Sequence, residues 1–576
     1  MNPLLRPLKN WTNKPLPANA AQLRNIIHVS NHIMSHILHF YHLVALDYVN
    51  PRVVVGGTPI AIDRPFLCPR YDDNYYINTA RVLMTANLLN ALVGSPPGPP
   101  HPAVAALAGL PGFGVDPGGA VNAYLVGQYL KALDIRRKCH EMQAIFSGRA
   151  PQCSGWTPGG ATASVTTQNI TDANALLAQV KAFVGEPTDF ATGTAGTMMF
   201  DVVAAAHLFP EYFWIGNSYS NFMAFGWGEE AGTISLTGVL GAIFTQISNP
   251  DNRASRRGWK TSALAGAPVN AVDIMKIGES IAGSRYNKTL GGQYPDSTNF
   301  KHPWSGQTKP VPTNEYSWLK SPRYDVGSGN YEPFEVGPLA RMVVQGTYFA
   351  GILNVAGYPV APVWGQPGPD LITGNPVNPP YNDGGPLQAF AAALRGVYAA
   401  IPGVTGGPDL SGVAYNGDSV LDRIAARAIE TRLMIDMAQH FLNKLNSTIV
   451  SGYASTGITD DTVPIKTETK KGYGMTEASR GALSHWIKYQ KGKIIKYQAV
   501  VPTTWNANPR DVNGKEGPAE RSLQGTPGQG TWVANPAEPI ELPRITHSYD
   551  FCIACAVHLI TPEGEVKKVD IPALPG

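Results

Sequence analysis

Two cysteines and a histidine near the end of the chain have the spacing of a metal or redox site. Cys552, Cys555 and His558 follow one another at intervals of three. At helical spacing, such residues lie along one face, so both sulfurs and the imidazole can point the same way. A thiolate at the start of a helix is also stabilised by the positive end of the helix dipole, which prepares it for a metal. The spacing alone leaves three interpretations open: part of a metal site, a redox dithiol, or a chance pair.

A second group of potential ligands lies near the start of the chain. The segment Asn19–Val49 carries histidines whose spacing keeps them within about 120° of one helix face, namely His28, His32, His36, His39 and His42. Helical metal sites usually recruit carboxylates as well, and the acidic residue of this segment, Asp47, lies at its far end. We therefore interpret the row as buried histidines that hydrogen-bond to neighbouring segments, with a row of metal ligands as the alternative.

The composition excludes several classes of protein. The formal net charge is +3 over 576 residues, with scattered basic residues, so no nucleic-acid partner is expected. Five cysteines, an odd number, do not form a disulfide framework, and we interpret Cys139 and Cys153 as packing residues. Apolar runs are too short for a transmembrane helix, and residues 1–14 lack the apolar core of a signal peptide. We therefore expect a partner to supply any export signal or membrane attachment.

The hydrophobic pattern predicts a mainly α protein with small β elements. Apolar residues recur at helical intervals in four segments: Asn19–Val49, Ala120–Phe146, Asn169–Val184 and Leu421–Leu445. Two alternating stretches, His485–Gln490 and Ile494–Val501, flank a Lys-Gly-Lys turn and predict a β-hairpin. With 60 glycines and 49 prolines, well above the usual combined share of about 12%, we expect long ordered loops such as Pro359–Pro386. We expect residues 17–558 to form one domain.

Six strings in chain order resemble the large subunit of nickel–iron hydrogenases. They are His39–Asp47 (HFYHLVALD), Tyr316–Tyr324 (YSWLKSPRY), Glu335–Arg341 (EVGPLAR), Arg480–Trp486 (RGALSHW), Val500–Asn506 (VVPTTWN) and Asp550–His558 (DFCIACAVH). The resemblance runs from about Pro17 to the end of the chain. It implies the fold of that family, an α+β body that is mainly helical with long Pro/Gly-rich loops. It also implies the family's activity, the reversible heterolytic cleavage of H2.

The resemblance implies a nickel–iron centre near the carboxy terminus. By this resemblance Cys552 binds nickel, and Cys555 bridges nickel to an iron that carries cyanide and carbonyl ligands; thiolates suit both metals. Arg480 corresponds to an arginine that overhangs the centre, and with the Cys552 sulfur it is a candidate base. Asp47 and Asp550 correspond to carboxylates that hold this guanidinium in place.

Further residues and a maturation step are implied by the same resemblance. His558 and the backbone carbonyl of Ala499 correspond to ligands of a magnesium-type ion. Thr503 and Thr504 are candidate hydrogen-bond donors to a cyanide, or else ordinary threonines at the end of a strand. The family's chains are cleaved after this histidine, so residues 559–576 are expected to be a maturation tail removed by an endopeptidase.

The resemblance also implies partners and a location. Electrons would leave through an iron–sulfur small subunit, because five cysteines are too few for a chain of clusters in this subunit. The small subunit would carry the export signal that places the complex in the periplasm or on the outer face of the cell membrane. A membrane cytochrome could then receive the electrons.

One departure from the family leaves the function open at this point. The family's amino-terminal cysteine pair has no counterpart in residues 1–16, an atypical terminus that we expect to reflect truncation. The first hypothesis is a catalytic hydrogenase subunit that binds nickel. The second is a homologue without the metal site that acts as a structural or assembly subunit. The third is a zinc protein that uses the carboxy-terminal cysteines and the histidine row.

Overall fold

A computed structural model describes a large part of the chain. The described residues are 17–47, 117–150, 153–157, 160–186, 189, 196–208, 212, 215–226, 258–261, 269–289, 299–305, 308–345, 417–450, 469–491, 493–524, 541–551, 557–560 and 566–569. The predicted loop Pro359–Pro386, the atypical terminus 1–16 and the two carboxy-terminal cysteines lie outside these residues.

The long helices are those that the hydrophobic period predicts. The described helices are α1 (Ala18–His39), α2 (Pro117–Ser147), α3 (Thr167–Val184), α4 (Met198–Leu208), α5 (Pro338–Gln345), α6 (Val420–Val450), α7 (Pro502–Asn506), α8 (Pro518–Gln524) and α9 (Glu541–Ser548). The four predicted segments are confirmed as α1, α2, α3 and α6, but the first is α-helical only to His39. It continues as a π-helical turn, Phe40–Val44, and a 3₁₀ turn, Ala45–Asp47. Helix α2 begins earlier than predicted, because Pro117 is favoured in a first helical turn. None of the helices described here combines the length and apolarity that crossing a bilayer requires.

The described strands form small antiparallel sheets. They are β1 (Trp156–Thr157), β2 (Gly160–Ala161), β3 (Phe222–Ala224), β4 (Gly258–Lys260), β5 (Asn270–Ala271), β6 (Ile277–Ser280), β7 (Ser321–Asp325), β8 (Tyr331–Glu332), β9 (Lys470–Ala478), β10 (Gly481–Gln490), β11 (Lys493–Val500), β12 (Val557–Ile560) and β13 (Val566–Val569). The predicted hairpin is confirmed as β10–β11, and β9 pairs with the other edge of β10. Strand β9 escaped prediction because Gly472 and Gly474 interrupt its pattern.

Two clusters of buried apolar side chains hold these elements together. Helices α1, α2, α3 and α6 enclose the first cluster, in which Cys139 is fully buried and against which Cys153 packs. Both cysteines are thus packing residues, as predicted. The second cluster lies among the strands and α7, where Trp486 and Trp505 are among its largest members. Packing of this kind fixes the relative positions of the segments that carry the candidate site.

A buried ion network joins the helical body to the β9–β11 sheet. Arg341 on α5 bonds both carboxylate oxygens of Glu430 on α6, each at 2.6 Å, and Glu477 on β9 at 2.8 Å. From α1, His36 Nε2 donates to Glu430 at 2.7 Å. Burial opposes ionisation of Glu430, but the adjacent guanidinium outweighs it and holds the pKa of this carboxyl well below its usual range. Arg341, the last residue of the string Glu335–Arg341, therefore has a structural role.

Candidate active site around Arg480 and Asp550

The structure joins Arg480 to Asp550, as the resemblance implies. Arg480 lies in the turn between β9 and β10, and Asp550 lies just beyond the end of α9. Arg480 Nε is 3.0 Å from Asp550 Oδ1. The aspartate side chain is 1% exposed and the arginine side chain 24% exposed. A partly exposed guanidinium is thus held by a buried carboxylate two residues before Cys552 in the chain.

A close contact between two turns sets the position of Arg480. Gly481 has φ +136°, and a Cβ atom there would lie 2.7 Å from Val336 Cγ2 and 2.8 Å from the nitrogen of Gly337. Gly337 also has a positive φ, and a Cβ there would lie 3.2 Å from the Arg480 carbonyl oxygen. Glycine at both positions allows the backbones to approach. Two of the strings that carried the resemblance, Glu335–Arg341 and Arg480–Trp486, therefore pack against each other.

The backbone at Asp550 directs its carboxylate towards the arginine. Asp550 has φ +56°, in the left-handed region that aspartate tolerates better than most residues. Its N–H donates to the carbonyl of His547 at 3.1 Å as α9 ends. Its second carboxylate oxygen, Oδ2, is buried and has no hydrogen-bond partner among the described residues. A buried acceptor of this kind usually serves a further group.

The second predicted carboxylate, Asp47, is attached to the same helix end through a histidine. Asp47 Oδ2 accepts a hydrogen bond from His547 Nδ1 at 2.6 Å, and Arg544 Nη2 donates to the Asp47 carbonyl at 3.0 Å. Burial alone would lower the pKa of His547, but the Asp47 carboxylate raises it above its ordinary value. Of the two predicted carboxylates, the structure pairs Asp550 with Arg480 and places Asp47 against His547.

Four of the five histidines hydrogen-bond to neighbouring segments, as predicted, whereas His32 bonds the carbonyl of His28 in its own helix. The last of the five, His42, lies just beyond α1 in a π-helical turn, Phe40–Val44. The bonds run from His28 to the Glu477 carbonyl (2.8 Å), from His32 to the His28 carbonyl (3.0 Å), from His36 to the Glu430 carboxylate (2.7 Å), from His39 to the His547 carbonyl (2.7 Å) and from His42 to the Tyr129 carbonyl (3.1 Å). Burial lowers the pKa of His32 to about 3 and that of His42 to about 4, so both are neutral. Within the described ranges, no three His, Cys, Asp or Glu side chains form a group that could hold a metal ion.

The remaining predicted residues are located in part. Thr503 and Thr504 lie buried in α7, 3% and 6% exposed, directly after β11. Ala499 lies on β11, paired in register with His485. Cys552 and Cys555 lie outside the described residues, and His558 lies on β12, where its side chain is not described. The helical spacing considered for these three residues is therefore wrong at His558, which lies on a strand. Metal binding by these residues stays a prediction.

Sequence reasoning missed two residues next to the Arg480–Asp550 pair: Arg427, whose pKa both members of the pair affect, and His547, whose carbonyl accepts from the Asp550 N–H. Arg427 on α6 donates from Nη1 to the Ser548 carbonyl at 2.6 Å, and burial lowers its pKa to about 10 although Asp550 acts in the opposite direction. Its signal was the spacing Arg423, Arg427 and Glu430 along one face of α6.

His547 was the second residue that was not predicted. It lies three residues before Asp550, just upstream of the string Asp550–His558.

A sequence profile described as "Nickel-dependent hydrogenase" matches residues 5–352 and 409–558. The chain belongs to this family. The match contains every predicted site residue described above, from Asp47 to His558. The match therefore covers all six strings and both partners of the Arg480–Asp550 pair.

Individual relatives and a solved structure support the family assignment over most of the chain. The uptake hydrogenase large subunit of Rhizobium leguminosarum bv. viciae is 28% identical, with 98% of this chain and 85% of that protein covered. The periplasmic [NiFeSe] hydrogenase large subunit of Desulfomicrobium baculatum is 30% identical, with 96% and 81% covered. A crystal structure of the [NiFeSe] hydrogenase from Dm. baculatum superposes with a TM-score of 0.57 at 27% identity, covering 93% of this chain and 82% of that chain. This hydrogenase fold agrees with the predicted mainly helical α+β class.

Proposed function

We propose that this chain is the catalytic subunit of a nickel–iron hydrogenase, which cleaves H2 heterolytically into protons and electrons. The observation that supports the proposal best is the pairing of Arg480 with Asp550. The fold brings these residues together from 70 positions apart in the chain, through a glycine contact on one side and a left-handed turn on the other. An ordinary surface ion pair forms without such specialised backbone conformations on both sides.

The proposed metal ligands lie in the segment that follows Asp550, and two buried polar atoms among the described residues support a further group near the start of that segment. Asp550 Oδ2 is buried and unpartnered among the described residues, and so is Arg427 Nε. We propose that Cys552 and Cys555 hold nickel and iron, the iron carrying cyanide and carbonyl ligands, beside these polar atoms. When bound, such a centre supplies Lewis-acid and redox chemistry.

In this proposal the protein positions one cation and moves the two protons that each H2 yields, one of them at the heterolysis step. Heterolysis of H2 releases a proton that needs a base, and the candidates are the Cys552 sulfur and the Arg480 side chain, which can accept a proton only in its neutral form. Asp550 fixes the Arg480 guanidinium, because a charge-assisted hydrogen bond limits its rotamers. His547, bonded to Asp47, gives a titratable group on the same helix end that can hold a proton on its way to solvent.

A magnesium-type ion is proposed at the carbonyl of Ala499 and the imidazole of His558. A carbonyl oxygen suits a hard divalent ion that keeps several waters, and the imidazole is proposed on the family resemblance alone. Thr503 and Thr504 are proposed as donors to a cyanide, since both hydroxyl-bearing side chains are buried next to the strand end. Removal of residues 559–576 by an endopeptidase is proposed to follow metal loading.

We propose that electrons pass to an iron–sulfur small subunit and from there to a membrane cytochrome. The similarity to uptake and periplasmic hydrogenase large subunits supports this assignment. It also supports a location in the periplasm or at the outer face of the cell membrane, reached with the export signal of the small subunit.

The test combines metal analysis with turnover. The chain is purified with its co-purifying partners from cells that mature hydrogenases, and nickel per chain and H2-dependent dye reduction are measured. The proposal expects bound nickel and dye reduction that Arg480→Ala abolishes while nickel stays bound. Because residues 1–16 contain no counterpart of the family's amino-terminal cysteine pair, the measurement is repeated with any residues encoded upstream of Met1 included. Absence of nickel and of dye reduction there too would support the alternative of a non-catalytic structural or assembly subunit. Stoichiometric zinc in place of nickel would support the zinc hypothesis.

A further inference from the structure

Three lysines lie side by side across the β9–β11 sheet. Lys488 on β10 is paired in register with Lys471 on β9 and with Lys496 on β11. Paired positions in a sheet project to the same face, and like charges directly opposite one another destabilise it. Burial and then the two neighbouring lysines lower the pKa of Lys488. The three ammonium groups therefore form a row that an anionic partner would stabilise.

The positive charge continues to the end of the hairpin. Lys491 and Lys493 flank its turn and are exposed. Between Ala478 and Val500 the sequence contains basic residues and no aspartate or glutamate. This end of the sheet thus differs from the rest of the chain, where basic residues are scattered among acids; the formal net charge of the whole chain, this segment included, is only +3.

Exposed apolar side chains stand next to these lysines. Ile494 is 58% exposed and Ile495 is 47% exposed, with Tyr497 at 43% on the same strand. Consecutive residues on a strand project from opposite faces, so the tip is apolar on both sides. A flat protein surface would cover one of these faces, whereas the headgroup region of a bilayer can surround both.

We propose that the hairpin end Lys488–Tyr497 docks on a lipid bilayer that contains anionic phospholipid. The lysine row and the turn lysines contact lipid phosphates, because basic side chains are attracted to the negative surface potential of such membranes. Ile494 and Ile495 enter between the headgroups and bury apolar surface there. The inference stands on the geometry of the hairpin and does not depend on the proposed hydrogenase activity.

The test is sedimentation of the full chain with vesicles. Binding is compared on phosphatidylcholine vesicles and on equimolar phosphatidylcholine and phosphatidylglycerol, without detergent, at low and high salt. Two double variants remove either charge or apolar surface, Lys488→Gln with Lys496→Gln and Ile494→Ser with Ile495→Ser. The matched control, Lys181→Gln with Lys309→Gln, makes the same change in net charge on other elements. Thermal unfolding of every variant checks that the fold is retained.

The proposal expects binding to the anionic vesicles that high salt abolishes. The Lys488/Lys496 variant lowers the vesicle partition coefficient roughly tenfold or more, the isoleucine variant lowers it on the same vesicles, and the control binds like the parent chain. Equal binding to both vesicle types, no binding at all, or a lysine variant that behaves like the control would overturn it. Complete competition by inorganic phosphate at matched ionic strength would also overturn it, because that result indicates a simple anion site. Retention on an acidic protein column without any vesicle binding would overturn it as well.

Discussion

The Asp550 carboxylate lies 3.0 Å from Arg480 Nε, and each partner is presented by a backbone conformation that few residues adopt. Asp550 has φ +56°, and Arg480 is followed by Gly481 with φ +136°. A left-handed conformation costs a non-glycine residue free energy and persists only where the surrounding structure holds it. The cost at Asp550, together with a backbone at position 481 that only glycine adopts readily, is consistent with a site in which the position of the guanidinium matters.

Arg480→Lys is expected to reduce H2-dependent dye reduction by about 10²-fold or more, because a single preorganised electrostatic donor contributes about that much to turnover. Lysine keeps the charge but not the planar fork of donors. Activity and nickel content are measured on the same preparation, and nickel is expected to be unchanged.

Arg137→Lys, on the exposed surface of α2 next to Asp134, is the control and should retain full activity. An Arg480→Lys enzyme with parental turnover would remove the arginine from the proposed site.

The elements of this protein could be predicted from local sequence more readily than its contacts. A repeating apolar stripe marks α1 and α6 wherever they pack, so periodicity sufficed for them. The pairing of Asp47 with His547 joins residues 500 positions apart, and no local pattern encodes which residues meet at that distance. The resemblance predicted a role for Arg480 and Asp550 only because each lies in a short string that can be matched to the family separately.

Buried charge was the other limit. Arg341 and Glu430 look like surface residues by type, since charged side chains are rarely fully buried unless paired. Their partners come from different elements, so the sequence could not show that each would be neutralised. Only the assembled α1, α5, α6 and β9 reveal that the network is structural.

Gly481→Ala is expected to destabilise the protein through a steric conflict with Val336 and Gly337. The added methyl would lie 2.7 Å from a side-chain carbon and 2.8 Å from a backbone nitrogen, and overpacking of this kind typically costs about 1–3 kcal/mol. The midpoint of thermal unfolding and the dye-reduction rate are both expected to fall, since the turn that carries Arg480 must shift.

The matched control is Gly327→Ala. Gly327 also has a positive φ, +151°, but a Cβ there would meet nothing within 4 Å. Gly327→Ala therefore introduces the backbone strain without the steric conflict. Its loss of stability should be smaller than that of Gly481→Ala. Equal losses would show that φ alone explains the glycine at 481.

Glu430→Gln is expected to destabilise the protein by about 3 kcal/mol, because removing one partner of a buried ion pair leaves the other charge uncompensated. The carboxyl has a pKa well below its ordinary value, owing chiefly to Arg341 against the effect of burial. Its contribution is thus present above the unfolded-state pKa of about 4.3 and is lost as the pH falls through the lower folded-state value.

Unfolding midpoints of the parent and Glu430→Gln should therefore differ at neutral pH and converge in acid. Lys181→Ala, which removes an exposed partner 3.5 Å from Glu186, should match the parent at neutral pH. A gap between the parent and Glu430→Gln that widens in acid would contradict the assignment of an ionised Glu430.

His547→Gln is expected to lower stability most at mildly acidic pH. The Asp47 carboxylate raises the pKa of this imidazole despite its burial, so the folded state binds a proton more tightly than the unfolded state. The contribution is fully present below the unfolded-state pKa of about 6.5 and is lost as the pH rises through the higher folded-state value. Unfolding midpoints of the parent and the variant should therefore be well separated at about pH 6 and approach each other in alkali.

The control for His547 has the opposite sign. Burial lowers the pKa of His485 to about 4, so its imidazole gains a proton on unfolding when the pH drops below about 6.5. As the pH falls, the unfolding midpoint of the parent should therefore decrease relative to that of His485→Gln. Over the same pH change it should increase relative to that of His547→Gln. Two histidines of one chain that shift in opposite directions exclude a general effect of pH on the fold. If both comparisons moved the same way, the ion pair between His547 and Asp47 would not exist in solution, and the proposed proton-holding role of His547 would fall with it.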